Sequence, residues 1–411
     1  MTELLENNEP TNADSRTRRT LVVLFSEFGP YHVARIDSLA ESLASRGWAV
    51  TGVRFREVSD TYSWTPCEPK VARLHTLLSK ETTKGTAFNL LTAWVRFLVR
   101  GRPRAVLIPS YWPLANALCL LAARVAGCVC VMMNESWVAT EKAGRLGVLI
   151  KRLLIRNFRA ALVGGSRHRE HFASLGLASN CIAIGYDVVD NEHFVGGAAR
   201  ARAEAMPSGL PPRYFLNVGR MVTKKNLETL IDAYARLAAE MTDLDHALVL
   251  VGDGARKEFL VTRAREHGLA VNSNAELFGP PPQRRGGQVL FYPFAQVEEL
   301  PRIYAHATAF VLPSFTEEWG LVVNEAMASG LPVLVSENAG CAPELVRAGV
   351  NGFTFPPDSA LELSARMRQF VIEPTLSAQF GAASQEIIRD FAPDRFARGA
   401  IDALTMAGVY L

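Results

Sequence analysis

The stretch Pro313-Ser314-Phe315-Thr316-Glu317-Glu318-Trp319-Gly320-Leu321-Val322-Val323-Asn324-Glu325-Ala326-Met327-Ala328-Ser329-Gly330 decides how the chain is read. It follows a short apolar run, Ala309–Leu312, and opens a helix near Gly320. A covered strand that passes directly into a helix is the building unit of a parallel α/β sheet. Glu317 then sits on the strand-to-helix turn and Glu325 lies more than one turn inside the helix, with seven residues between them. The first amides of such a helix lack intrahelical partners and can receive an anion such as phosphate. Gly320 lets that backbone come close to it. A carboxylate beyond the anion can accept two hydroxyl hydrogen bonds from a ribose, as acidic residues do in other nucleotide folds. A solvated acidic helix start that merely complements the dipole gives the same pattern, so the two readings stay open on this stretch alone.

Outward from this stretch, the same alternation repeats. Strands are expected at Tyr214–Val218, Ala247–Val251, Glu276–Phe278, Val289–Tyr292 and Pro332–Val335, with helices at Leu227–Glu240 and Arg256–His267. Pro280–Gln288 is polar and reads as an exposed loop. Nearer the start, strands are expected at Leu21–Phe25, Trp48–Phe55, Ala105–Ile108, Val129–Met133, Ala160–Val163 and Cys181–Ile184. A helix from about Val33 to Arg46 is preceded by Pro30, whose missing N–H costs nothing there, and is stopped by Gly47. Strand–helix alternation of this kind predicts α/β architecture: two Rossmann-like, doubly wound domains facing across a cleft. Val195–Pro212, rich in Gly, Ala, Arg and Pro, reads as the connection between them. The expected division is a flexible tail over 1–19, a first domain over 20–200 and a second over 201–411, with the last helix free to pack back on the first domain.

A second constellation follows the first strand of the second domain: Asn217-Val218-Gly219-Arg220-Met221-Val222-Thr223-Lys224-Lys225-Asn226. Gly219 permits a tight turn, and Arg220 and Lys225 stand five apart at the next helix start. Two cations at one strand end suit a diphosphate, the guanidinium binding it bidentately and the ammonium acting as a point charge, although two basic residues in a loop are by themselves more often plain surface charge.

Composition narrows the alternatives. Of 411 residues, 49% are apolar and 21% charged, which excludes global disorder and collagen-like repeats. Ala105–Ala123 runs nineteen residues without a charge, long enough to flag a membrane span. Pro109 and Pro113 interrupt it, and a buried strand followed by the helix Leu114–Ala126 fits better. Cys128 and Cys130 lie in an apolar run without a second pair and read as core residues, so no metal site is expected. The polar, acidic first residues show no secretory signal, and a cytoplasmic setting is the default expectation. The net charge of +3 divides into +8 over residues 1–200 and −5 over 201–411. A modest basic excess in the first half suits an anionic membrane surface or an acidic ligand, or is ordinary surface charge on one of two lobes; no nucleic-acid partner is expected.

These motifs resemble the retaining, GT-B-fold glycosyltransferases of family 4, also called glycosyl transferases group 1. The resemblance rests on Gly219-Arg220 with Lys225-Asn226, Val251-Gly252-Asp253-Gly254, Phe291-Tyr292-Pro293-Phe294, Glu317-x7-Glu325, Ala326–Val333 and Glu344-Leu345-Val346 with Asn351-Gly352. It covers essentially the whole second domain and reaches the first only through the Gly29 loop and Val189-Asp190. It implies transfer of a hexosyl unit from a nucleotide-diphosphate sugar, UDP- or GDP-linked, to a hydroxyl of a glycan, glycolipid or small-molecule natural product. The anomeric configuration would be retained, with neither metal nor further cofactor. By the same resemblance Arg220 and Lys225 neutralise the diphosphate, Glu317 contacts the donor sugar and Glu325 holds the ribose. Gly320 and Leu321 offer amides to a phosphate, which Gly29 approaches from across the cleft, and Tyr292 and Phe294 lie near the base. Many relatives carry a histidine at the end of the strand that here reads Val131-Met132-Met133-Asn134-Glu135. Asn134 or Glu135 stands in its place, and His32 is a further acceptor-side candidate.

Two basic amphipathic segments, Arg145–Arg159 and Phe88–Arg104, bear on localisation. Either rests on the inner face of an anionic membrane or packs one face on the sheet and solvates the other. Among rival classes, a nicotinamide-dependent oxidoreductase would carry Gly-x-Gly-x-x-Gly after its first strand, whereas Gly252-Asp253-Gly254 has Lys257 at the third position. An inactive nucleotide-sugar binder and a nucleotide-sugar epimerase of the same fold remain as alternatives.

Overall fold

The computed structural model describes residues 19–56, 64–65, 67–78, 87–141, 143–206, 209–272 and 287–411. Residues 1–18 of the expected tail, the strand expected at Glu276–Phe278 and most of the Pro280–Gln288 loop lie outside the described residues.

The first sheet contains β1 (Arg19–Phe25), β2 (Trp48–Arg54), β3 (Arg73–Thr76), β4 (Ala105–Pro109), β5 (Val129–Asn134), β6 (Ala160–Val163) and β7 (Ile182–Ile184). Its order is β3-β2-β1-β4-β5-β6-β7, with every pair parallel. Six helices accompany it in sequence: α1 (Pro30–Ala44), α2 (Ala87–Gly101), α3 (Leu114–Val125), α4 (Arg145–Ile155), α5 (Ser166–Ser174) and α6 (Asn191–Ala203). The continuous apolar strands are explained by cover on both faces. One face packs against Ile36, Leu39 and Leu43 of α1. The other packs against Trp94 of α2, Leu120 of α3, Ile155 of α4 and Phe172 of α5. The uncharged run Ala105–Ala123 resolves into β4 and α3, and among the described residues no helix is long and apolar enough to cross a membrane.

The second sheet contains β8 (Tyr214–Val218), β9 (Ala247–Val251), β10 (Ala270–Asn272), β11 (Gln288–Tyr292), β12 (Ala309–Leu312), β13 (Val333–Ser336) and β14 (Gly352–Phe355). Its order, β10-β11-β9-β8-β12-β13-β14, is again all parallel. The helices are α7 (Leu227–Glu240), α8 (Lys257–Glu266), α9 (Leu300–Ala305), α10 (Leu321–Ala328), α11 (Ala342–Leu345), α12 (Ala360–Ile372), α13 (Thr375–Ile388) and α14 (Pro393–Met406).

The expected connection over Val195–Pro212 needs correction, because the chain is helical as far as Ala203. Asp190 caps α6 by accepting from the His193 amide at 3.2 Å. Phe194, Ala198 and Ala201 then bury one face of the helix, so Gly196 and Gly197 are carried inside it by tertiary packing. A side chain at Gly197 would collide with Pro301, which is how closely α6 and α9 approach. The helix packs on α9 and α10 and thus on the second domain. Conversely α14 leaves that domain and packs on α1, β6 and β7.

In both sheets the strand order reverses beside the first strand, between β1 and β4 and between β8 and β12. Loops leaving the carboxyl ends at such reversals splay apart and leave a crevice, the usual ligand position in open α/β sheets. Here the two crevices face each other.

Candidate active site

A cavity of about 560 Å³ lies between the domains, within the range of small-molecule sites. Its rear wall consists of the loops after β8 and β12, together with Gly252-Asp253-Gly254 after β9. The front wall is narrower, being Tyr31, Trp64 and Glu135.

The rear wall is built by backbone-directed polar side chains. The Asn217 amide donates to the Val311 carbonyl at 2.8 Å and ties β8 to β12. Thr223–Lys225 forms one 3-10 turn, and Asn226 leaves it in the left-handed conformation, φ 51°. The buried Asn226 amide donates to Pro313 O at 3.0 Å and Pro357 O at 2.6 Å, while its Oδ1 accepts from Thr229 at 2.8 Å. This one side chain anchors the lysine turn against the loop after β12. Lys225 Nζ consequently meets Glu317 Oε2 at 2.5 Å, and Lys224 Nζ meets Glu318 Oε2 at 2.7 Å. Glu317 is buried yet its carboxyl is held below the ordinary range: burial pushes it up, and Lys225, Lys224 and the Ser314 hydroxyl outweigh that. The Glu317 carboxylate is therefore charged at neutral pH. Arg220 completes the set as an exposed side chain at the rim.

The helix α10 begins where Gly320 takes φ +104°, a conformation that L side chains rarely adopt, and an added Cβ would also press on Leu312 at 2.9 Å. Gly320, Leu321 and Val322 line the cavity, so the first turn of α10 opens onto it. One turn deeper, Glu325 is 2% exposed. Burial raises its pKa, and two hydroxyls oppose that by donating to it: Tyr31 from the front domain at 2.7 Å and Tyr304 from α9 at 2.8 Å. Both oxygens of the carboxylate are thus engaged, one of them from across the cleft.

On the front wall the Glu135 carboxyl reaches the cavity and stands near the buried Asp187, whose two carboxyl oxygens have no hydrogen-bond partner among the described residues. Two acids placed this close disfavour a second negative charge. Burial raises both pKa values; Glu318 adds to the effect on Glu135, and Glu135 to the effect on Asp187. The buried Arg35 stands 3.7 Å from Asp187 and limits the rise. The Trp137 indole donates to the Glu317 carbonyl at 2.8 Å, and the His168 ring lies 3.0 Å from the Glu318 carbonyl. Two front-domain side chains thereby fix the backbone that carries the rear acids.

Arg220, Lys225, Glu317, Gly320, Leu321, Glu325, Phe294 and Glu135 are brought together on one cavity. The other expected residues are not. Gly29 caps α1, but the Trp64 ring lies directly over it, where a Cβ would sit 2.3 Å from the indole. His32 turns back: its Nδ1 accepts from the Gly29 amide at 3.0 Å, and its ring packs on Phe25 and Phe28. Burial and the Arg35 charge pull its pKa down to about 3, so it is a neutral acceptor inside the loop. Asn134 accepts from the Ser136 amide at 2.7 Å and shapes the turn after β5. Tyr292 is half-buried against the rear core outside the cavity lining.

Lys224, Glu318, Tyr31, Tyr304, Asp187 and Trp64 escaped the sequence reading. The first two were visible as second copies beside Lys225 and Glu317. The Tyr31–Glu325 pair, 294 positions apart, leaves no local trace.

Sucrose-phosphate synthase of Thermosynechococcus elongatus superposes with a TM-score of 0.67 at 18% identity, covering 96% of this chain and 98% of that one. The Anabaena protein HepE, in a structure with UDP, gives 0.68 at 17% identity over 94% and 99%. The fold is that of GT-B glycosyltransferases. Residues 212–372, most of the second domain, match the family model described as Glycosyl transferases group 1. A D-inositol 3-phosphate glycosyltransferase of Streptomyces bingchenggensis is 28% identical over 235 residues, 56% of this chain and 49% of the relative. The chain spans about half or less of the length of the curated relatives it matches.

Proposed function

We propose that the protein is a retaining hexosyltransferase that uses a nucleotide-diphosphate sugar as donor and a hydroxyl as acceptor. The convergence of Arg220, Lys225 and the first turn of α10 on one cavity, with Glu317 and Glu325 beside them, carries this reading. HepE was captured with UDP, which supports a UDP-linked donor over a GDP-linked one.

On this reading the diphosphate lies between Arg220, Lys225 and the α10 amides, and their charges stabilise the negative charge that grows on it. These groups supply the countercharge, so the scheme contains no metal. Lys225 moves from Glu317 to the phosphate, and Glu317 is released to hold sugar hydroxyls. The ribose replaces the Tyr31 hydroxyl on Glu325. The bond between the anomeric carbon and the phosphate oxygen breaks, the acceptor oxygen attacks from the same face, and its proton passes to the departing phosphate oxygen. A double displacement is the other route to retention. Glu135, whose pKa burial and the nearby Glu318 raise, is on the acceptor side and can donate to or accept from a hydroxyl there. Phe294 is placed near the base. We place the enzyme in the cytoplasm.

Incubation with a panel of nucleotide sugars tests the reading. Release of free nucleotide with one donor, lost on combining Arg220→Ala with Lys225→Ala, is expected. Binding of a donor without any release would identify an inert binder instead, and interconversion of the sugar without transfer an epimerase.

A further inference from the structure

We propose that the outer surface of the front domain, centred on α4, docks on an anionic lipid bilayer. Leu146, Leu149, Ile150 and Leu153 stand at i, i+3, i+4 and i+7, the spacing of a helix face meant for burial. In the folded chain this face points outward: the four side chains are 71%, 54%, 50% and 53% exposed. Of the whole helix only Ile155 is fully buried. An amphipathic helix packed in the ordinary way has its apolar stripe inside; this one presents it to the surroundings.

Charge selects the occupant. Arg145, Arg152 and Arg156, at i, i+7 and i+11, form an exposed row along one flank of the stripe. Residues 82–165, which supply α2, α3 and α4, contain twelve Lys and Arg but two acids, Glu135 and Glu141. Glu135 points into the cavity and Glu141 is bound by Lys151 at 2.5 Å, so neither opposes the arginines. An apolar stripe beside an unopposed cationic row is the composition that inserts at the headgroup boundary of negatively charged lipid. A protein partner would need its own acidic rim around an apolar centre; a bilayer offers both everywhere.

Position gives the contact a use, which rests on the transferase reading. From Glu135 at the cavity the chain passes Trp137, which holds the Glu317 backbone, then the 68% exposed Val138, and enters α4 a few residues later. A hydroxyl carried on a membrane lipid would therefore meet the cleft from its front wall.

The test is flotation of the full chain with vesicles of phosphatidylcholine alone and of phosphatidylcholine and phosphatidylglycerol in equal amounts. Binding to the mixed vesicles, absent with the neutral ones and weakened by 0.5 M salt, is expected. Arg152→Glu with Arg156→Glu, and separately Leu146→Gln with Leu149→Gln and Leu153→Gln, should each reduce it by about tenfold or more. Neither set touches the cavity, so nucleotide release from a soluble donor should be unchanged; this separates failure of docking from failure of the transferase reading. No binding to the mixed vesicles, or binding indifferent to both variant sets, overturns the proposal. Self-association in sedimentation that the leucine variant abolishes, without vesicle binding, would make the face a contact between copies and also overturn it.

Discussion

The two walls of the cavity are made differently. Every charged group of the rear wall belongs to one of three short segments, Gly219–Lys225, Gly252-Asp253-Gly254 and Glu317–Glu325, each following a central strand. Lysines and carboxylates there meet as paired charges. The front wall has two aromatic rings and one acid from separate stretches of the chain, and its half-buried acid stands near the buried Asp187. A wall of paired charges is set to exchange partners with a polyphosphate at modest cost, since each cation already lies in place. A wall of rings and a single acid instead sets shape and hydrogen-bond direction. On the proposed transferase reading, the comparison makes donor capture and acceptor choice separable, and substitutions should divide accordingly.

The largest effect should come from the rear. Arg220→Ala or Lys225→Ala should lower donor turnover by about 10²–10³-fold each, the loss seen for other preorganised charges. Steady-state nucleotide release measures it; a change of only a few-fold in the double variant would break the division of labour. Next, Gly320→Ala should destabilise the second domain by about 1–3 kcal/mol through its positive φ and contact with Leu312, measurable in urea unfolding. The same change should weaken UDP binding in calorimetry, because the first turn of α10 shifts.

The front wall predicts a smaller effect with a distinctive sign. Asp187 has its folded-state pKa raised, so the native protein holds a proton that the unfolded chain gives up, and stability falls as pH rises from the ordinary value of 3.8 toward the folded one. Asp187→Asn should therefore raise the melting temperature at neutral pH and above, with the gain shrinking in acid. Melting curves against pH would show it; an equal gain at every pH would deny the raised pKa of Asp187. The smallest effect is expected from Tyr31→Phe. It frees one oxygen of the rear-wall Glu325 without replacing any rear-wall residue, costs about 1–2 kcal/mol of stability and leaves UDP affinity equal to or tighter than wild type. Weaker UDP binding would mean that Tyr31 supports the nucleotide instead of yielding to it.

The same contrast explains what could be read from the residues alone. β8, β9 and β12 and the charged loops after β8 and β12 were legible because a covered strand, its turn and the next helix are contiguous in the chain. α6 was misread as a connection because Gly196-Gly197 suggested a break, and only its packing on Pro301 and Ala305 keeps it helical. His32 and Asn134 had suitable chemistry but spend it on Gly29 and Ser136 within their own turns. Asp187, Tyr31 and Tyr304 acquire their roles through contacts across the cleft or between distant strands, which no local pattern records.

The exchange of α6 and α14 between the domains has a mechanical consequence. The polypeptide crosses from one half to the other twice, just before Asn191 and just after Ile388, and the Asn191 amide donates to the Ile388 carbonyl at 2.7 Å. The crossings are thus stitched side by side, like two knuckles of one door hinge. Swinging about that line is the motion that leaves both crossings intact, whereas sliding or twisting would tear the stitch.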